Sequence, residues 1–137
     1  MKLSKPILLL LLITFSSCLR QVSSDKEKTN TSKSHVNYID ELEIEINNGG
    51  FNQYFFNSSG QNCFEALKTL KKNKKFKTAK ILESAINLIN PKKLSKEDLI
   101  KKLHNLEVEE LENEEINKKL EFLNLEFYKY PDGNLQK

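Results

Sequence analysis

The sequence predicts an all-α fold: a compact bundle of five to six short helices that follows a signal peptide and a flexible tether. Three observations predict it. Apolar residues recur three and four apart through the second half of the chain, the spacing that lines one face of a helix. Leu, Lys and Glu dominate, all good helix formers, while Val occurs only three times. No run alternates apolar and polar residues with β-branched enrichment, so no strand is expected. The expected divisions are a signal segment at 1–17, a modified Cys18 and tether at 18–36, the helical domain at 37–133 and a short tail at 134–137.

The first segment reads MKLSKPILLLLLITFSSC. Lys2 and Lys5 precede an unbroken apolar run, Ile7–Ile13. A basic start, a short apolar stretch and small residues at the cut define a secretory signal. The run is too short to span a bilayer, which takes about 20 apolar residues. Phe15-Ser16-Ser17-Cys18 resembles the lipobox of bacterial lipoproteins, in which the Cys becomes the first mature residue and carries lipid on its sulfur. The alternative is ordinary secretion with Cys18 as a free thiol. The only other cysteine is Cys63, so lipidation of Cys18 leaves no partner for an internal disulfide. Several acyl chains on one residue would anchor the protein firmly. The stretch LRQVSSDKEKTNTSKSHV that follows is polar and aperiodic, the composition of a tether. It would reach roughly 23 Å on average and about 60 Å when extended. His35 at its end reads as solvated.

Val36, Ile39, Leu42 and Ile46, with Ile44 beside them, mark a first helix. Phe64, Leu67 and Leu70 mark another, with Ser59 or Asn62 as its expected cap. Ala79, Leu82, Ala85, Ile86 and Ile89 mark a third, stopped by Pro91. Ser95-Lys96-Glu97-Asp98 has the form of a helix start, after which Leu99, Leu103 and Leu106 are expected on one face. The last helix carries the cleanest stripe, Ile116, Leu120, Leu123 and Phe127, with Asn113 as its cap and Pro131-Asp132-Gly133 as the turn that ends it.

Between the first two helices lies NNGGFNQYFFNSSG, Asn47 to Gly60. Asn48-Gly49-Gly50 should close the first helix, because Gly and then Asn best accept a left-handed backbone. Phe51, Tyr54 and Phe55 resume helical spacing for one or two turns, and Ser58-Ser59-Gly60 breaks again. A helix stop, an aromatic plug and a second stop account for the segment structurally, with Asn and Gln side chains satisfying the backbone groups freed at the breaks. Asn48, Gly49, Gly50, Phe51, Gln53, Tyr54, Asn57, Ser58 and Gly60 are therefore the candidate corner for structure or binding.

The same residues carry a resemblance. EIEINNGGFNQYFFNSSG, then EALKTLKKNKKFKTAKILESAI and the later LEFLNLEFYKYPDG, resemble the domain family named after bacterial DNA mimic protein nineteen. The resemblance runs from about Tyr38 to Gly133. It implies a small, all-helical, non-enzymatic protein. The family's namesake imitates DNA with surface carboxylates and occupies the DNA site of a transcription factor.

Charge is segregated along the chain. There are 22 basic and 19 acidic residues, and removing Lys2 and Lys5 with the signal leaves 20 against 19. From Glu65 to Lys102 there are 12 Lys; from Glu107 to Glu126 there are eight Glu against Lys118 and Lys119. Such blocks make solvated helix faces or a surface that steers a charged partner. Arg occurs once, as Arg20, which speaks against nucleic-acid reading. His104 and Cys63 are too few for a metal site, and as a nucleophile pair they compete with a core role for Cys63. A pocket joining Gln53, Asn57 and His104 would instead suggest a hydrolase. No cofactor is expected.

The expectation is a non-catalytic, lipid-anchored helical module of the bacterial envelope, on the periplasmic or cell-surface face, with a protein partner and with the membrane held through Cys18. The alternative is an immunity-like or DNA-mimicking inhibitor, whose acidic surface of Glu107, Glu109, Glu110, Glu112, Glu114 and Glu115 blocks a basic partner.

Overall fold

The computed structural model describes residues 37–136. The signal segment, Cys18, His35, Val36 and the tether lie outside the described residues. Within them the chain forms five α-helices and no strand: α1 (Tyr38–Phe56), α2 (Cys63–Lys72), α3 (Phe76–Ile89), α4 (Lys96–His104) and α5 (Glu114–Phe127). Short 3-10 turns, Ser58–Asn62 and Glu109–Glu112, precede α2 and α5. Helix α5 packs on both α1 and α3, α2 also packs on α1 and α3, and α4 lies on the Ser58–Asn62 turn. All five helices meet in a single core, with Phe51, Tyr54 and Phe55 of α1 at its bulkiest part.

Side chains set most helix starts. Asn37, ahead of the expected first helix, accepts from the Ile39 and Asp40 amides at 3.2 and 3.5 Å, and Asp40 and Glu41 then face the positive end of α1. Ser95 accepts from the Asp98 amide at 3.1 Å, the cap its sequence predicts, and its hydroxyl donates to the Asp98 carboxylate at 2.8 Å. Asn113 accepts from Glu115 and Ile116. The expected cap of α2 is different. Neither Ser59 nor Asn62 caps it; α2 grows directly out of the 3-10 turn, with the Cys63 amide bonded to the Gly60 carbonyl. The Asn62 side chain is committed elsewhere, to Glu41 at 3.0 Å.

Two faces also depart from the stripe read in sequence. In α2 the buried positions are Cys63, Ala66 and Leu70, while Phe64 and Leu67 pack at the core's margin. Leu106 does not continue the α4 face. It adopts φ +57° and is 63% exposed, because it closes the helix: the Leu106 amide bonds Leu103 and the Glu107 amide bonds Lys102. Ile44 is likewise exposed.

Residues after Gly133 are part of the fold rather than a tail. Leu135 is buried in the core. Lys75, itself buried, donates to the carbonyls of Asp132 and Asn134. Asp132 accepts from the Thr78 amide at 2.7 Å, so this carboxylate caps α3, whose own N-terminal residue offers no side-chain cap.

Tyr54 is fully buried and its hydroxyl has no hydrogen-bond partner among the described residues. Burial pushes its phenol pKa far upward. Removing an unpaired buried hydroxyl gains stability, so Tyr54→Phe is expected to stabilise the domain by about 1 kcal/mol, read as a higher Tm. A lower Tm would show that the hydroxyl is bonded.

Candidate functional site

The glycine–aromatic corner is a kink in α1. Gly49 has φ −161° and ψ 18°, and Gly50 has φ 76° and ψ −173°; helix resumes at once with Phe51. The break frees the Phe51 amide, and Asn124 of α5 accepts from it at 2.8 Å. Tyr128, just past α5, donates to the Ile46 carbonyl at 2.9 Å, and Tyr130 accepts from the Asn47 side chain. Asn52 donates to Asn117 at 2.6 Å and to the Leu111 carbonyl at 3.1 Å. The corner's own amide side chains do not meet the backbone freed at the break, contrary to expectation: Asn47, Gln53 and Asn57 bond other side chains and Asn52 reaches Asn117 and Leu111, while the Phe51 amide is met by Asn124 of α5, across the fold.

The candidate corner residues separate into two groups. Gly50, Phe51, Tyr54 and Gly60 are buried. A Cβ on Gly60 would lie 2.7 Å from the Phe55 Cα and 2.8 Å from the Tyr54 carbonyl, so the chain can pass there only as glycine. Asn48, Gly49, Asn57 and Ser58 face solvent and Gln53 is half-buried. Gln53 and Asn57 both donate to one carboxylate oxygen of Glu45, at 2.9 and 2.7 Å. His104 stands apart from that pair, 3.2 Å from Gln61. Beside the corner is a polar recess of about 240 Å³, lined by Gly49, Asn52, Asn117, Leu120, Glu121 and Asn124.

Cys63 is buried, and burial pushes its thiol up to about 12. The thiol is neutral at physiological pH, which makes it a poor nucleophile and suits its packing role. Among the described residues no group of three His, Cys, Asp or Glu could hold a metal ion. No described helix is long and apolar enough to cross a membrane.

A larger opening lies between α3 and α5. This groove of about 630 Å³ is lined by Ser84, Asn87 and Leu88 of α3 and by Glu115, Lys118, Lys119, Phe122 and Leu123 of α5. A second recess of about 330 Å³ extends it, sharing Ser84 and Leu123 and adding Lys77, Lys80, Ile81, Glu126 and Pro131. Phe122 is 62% exposed and Leu125 60%. The acidic surface is also exposed at Glu107, Glu109, Glu112, Glu114 and Glu115, with Glu110 half-buried. Of these six, only Glu115 forms an ion pair among the described residues, with Lys119 at 2.7 Å.

A family model described as DMP19-like protein matches residues 27–136. The chain belongs to the DMP19-like protein family. The match takes in the kinked corner, all five helices of the DMP19-like domain and the buried Leu135. Neither the curated proteins nor the solved structures yield a match.

Sequence reasoning passed over Asn117 and Asn124, the residues by which α5 of this DMP19-like domain grips the corner. A signal was present. They stand seven apart, interleaved with Leu120 and Phe127, and Asn within the buried stripe of a helix is unfavourable unless its amide has a partner. Phe122 and Leu125 were passed over because they fall off the core stripe, which is also why they reach solvent.

Proposed function

We propose that this DMP19-like chain is a lipid-anchored, non-catalytic binding module of the bacterial envelope, held at the membrane through Cys18 and docking a protein partner in the α3–α5 groove. The groove is the observation that carries the reading. It leaves Phe122 in water as part of an apolar floor shared with Leu88 and Leu123, and exposed apolar patches of this kind mark interaction sites. The corner supports the same reading, since Asn52 is spent on Asn117 and the Leu111 carbonyl, and Gln53 and Asn57 on Glu45. Its glycines and aromatics serve the architecture that holds α5 in place.

The test is a pull-down from membranes with the anchored protein. Wild type and Gln53→Ala are expected to retain a partner, and Phe122→Asp to lose it. Equal capture by Phe122→Asp would end the assignment to this groove. Labelling with radioactive fatty acid checks the anchor: Cys18→Ser should lose the label, and unchanged labelling refutes lipidation there.

A second reading draws on the unpaired carboxylates at Glu107, Glu109, Glu110, Glu112 and Glu114. They would let the domain inhibit a basic, nucleic-acid-binding partner, as an immunity protein or DNA mimic does. Charge reversal at Glu109, Glu110 and Glu112 should abolish capture under this reading and leave it unchanged under the first.

A further inference from the structure

We propose that the partner enters the α3–α5 groove as an acidic amphipathic helix; this rests on the binding-module reading and names the chemistry of its ligand. Three features select that occupant. The floor is apolar, built from Ile81 and Leu88 on one wall and Phe122 and Leu123 on the other. The two recesses are continuous through Ser84 and Leu123, and the helices that form the walls have 14 residues each. That gives a trough of about 21 Å, room for three to four turns of a third helix. Such a trough takes a helix through its apolar face.

The rim then decides the sign of the ligand. Both carboxylates that line the groove are already neutralised within α5 and the residues after it, Glu115 by Lys119 and Glu126 by Lys129. Lys77 and Lys80 on the α3 side, and Lys118 on the α5 side, form no ion pair among the described residues. Uncompensated positive charge therefore flanks the apolar floor on both walls. A helix with an apolar stripe and carboxylates on its two shoulders meets floor and rim together, whereas a basic helix meets repulsion on both sides.

The test is fluorescence anisotropy with the full-length chain in mild detergent. The probe is a labelled helical peptide of about 14 residues, matching the walls of the groove, with Leu on one face and Glu on the other. The control is the same peptide with Lys for Glu. Wild type is expected to prefer the acidic peptide by at least about tenfold, with the preference shrinking as salt rises. Lys77→Glu/Lys80→Glu/Lys118→Glu should erase the preference, and Phe122→Asp should weaken binding of either peptide. All four positions are exposed, so the variants are expected to fold, which circular dichroism verifies.

Equal binding of both peptides, or an unchanged preference in the lysine variant, overturns the inference. So does binding to phosphatidylglycerol vesicles in place of the peptide, or a concentration-dependent dimer that Phe122→Asp abolishes. These two outcomes give the groove to lipid or to a second copy of the chain. If the lysine variant still captures the membrane partner that Phe122→Asp loses, the inference fails and the binding-module reading stands. If wild type captures nothing from membranes, that reading fails and the inference falls with it.

Discussion

Gly50→Ala is expected to destabilise the domain by about 4 kcal/mol, a large share of the roughly 5–15 kcal/mol that holds a small domain together. Two costs combine. The backbone of Gly50, at φ 76° and ψ −173°, sits in a region essentially reserved for glycine, and forcing a side chain there costs about 1–3 kcal/mol. The new Cβ would also land on the Asn124 side-chain amide. Displacing Asn124 strips the buried corner of the acceptor that holds the Phe51 amide at 2.8 Å, and an unsatisfied buried donor costs about 1–3 kcal/mol. Gly49→Ala supplies the contrast. Its φ of −161° is extended backbone open to any residue, and its Cβ would meet the Gln53 side chain alone, whose amide can swing away but whose Cβ, at 2.9 Å, must shift slightly with its helix turn. The expected loss is about 1–2 kcal/mol, chiefly the Gln53–Glu45 hydrogen bond. Urea unfolding of both variants measures the difference; equal losses would mean that the kink is not held as described.

Phe51→Ala should cost about 3–5 kcal/mol, the range for emptying a buried aromatic position. Phe51 is completely buried, lies 6.2 Å from Phe55 in a stacked pair and meets Phe127 of α5 edge-on at 5.9 Å. Its ring therefore joins α5 to α1 at the point where its own amide bonds Asn124. Phe51→Leu, which refills most of the space, should cost about 1.5 kcal/mol or less. A shift in urea midpoint no larger for Phe51→Ala than for Phe51→Leu would show that the ring is not part of the tie between the helices.

The helices were readable because their information is local. The spacing in α3 and α5, the cap at Ser95 and the cap at Asn113 each need only a few neighbouring residues, and the structure follows them. The failures share a cause. Leu106 has the right spacing for the α4 stripe, but a helix that ends at His104, two residues short of it, turns it outward, and the ending is set by two backbone hydrogen bonds that spacing does not encode. Asn62 is a good capping residue drawn away by Glu41, which stands 21 positions earlier. At the corner the stop at Gly49-Gly50 was readable, but its partner was not: Asn124 is 73 residues away, and only packing of α5 on α1 brings it near. The groove was unreadable for the complementary reason. It is a space between two helices, and no single stretch of sequence describes it.

The clasp made by residues 132–135 has a consequence for timing. The carboxylate that caps α3, the carbonyls that hold Lys75 and the buried Leu135 side chain all belong to a stretch synthesised after the five helices. A nascent chain can wind its individual helices early, but the packed body closes only after that stretch has emerged.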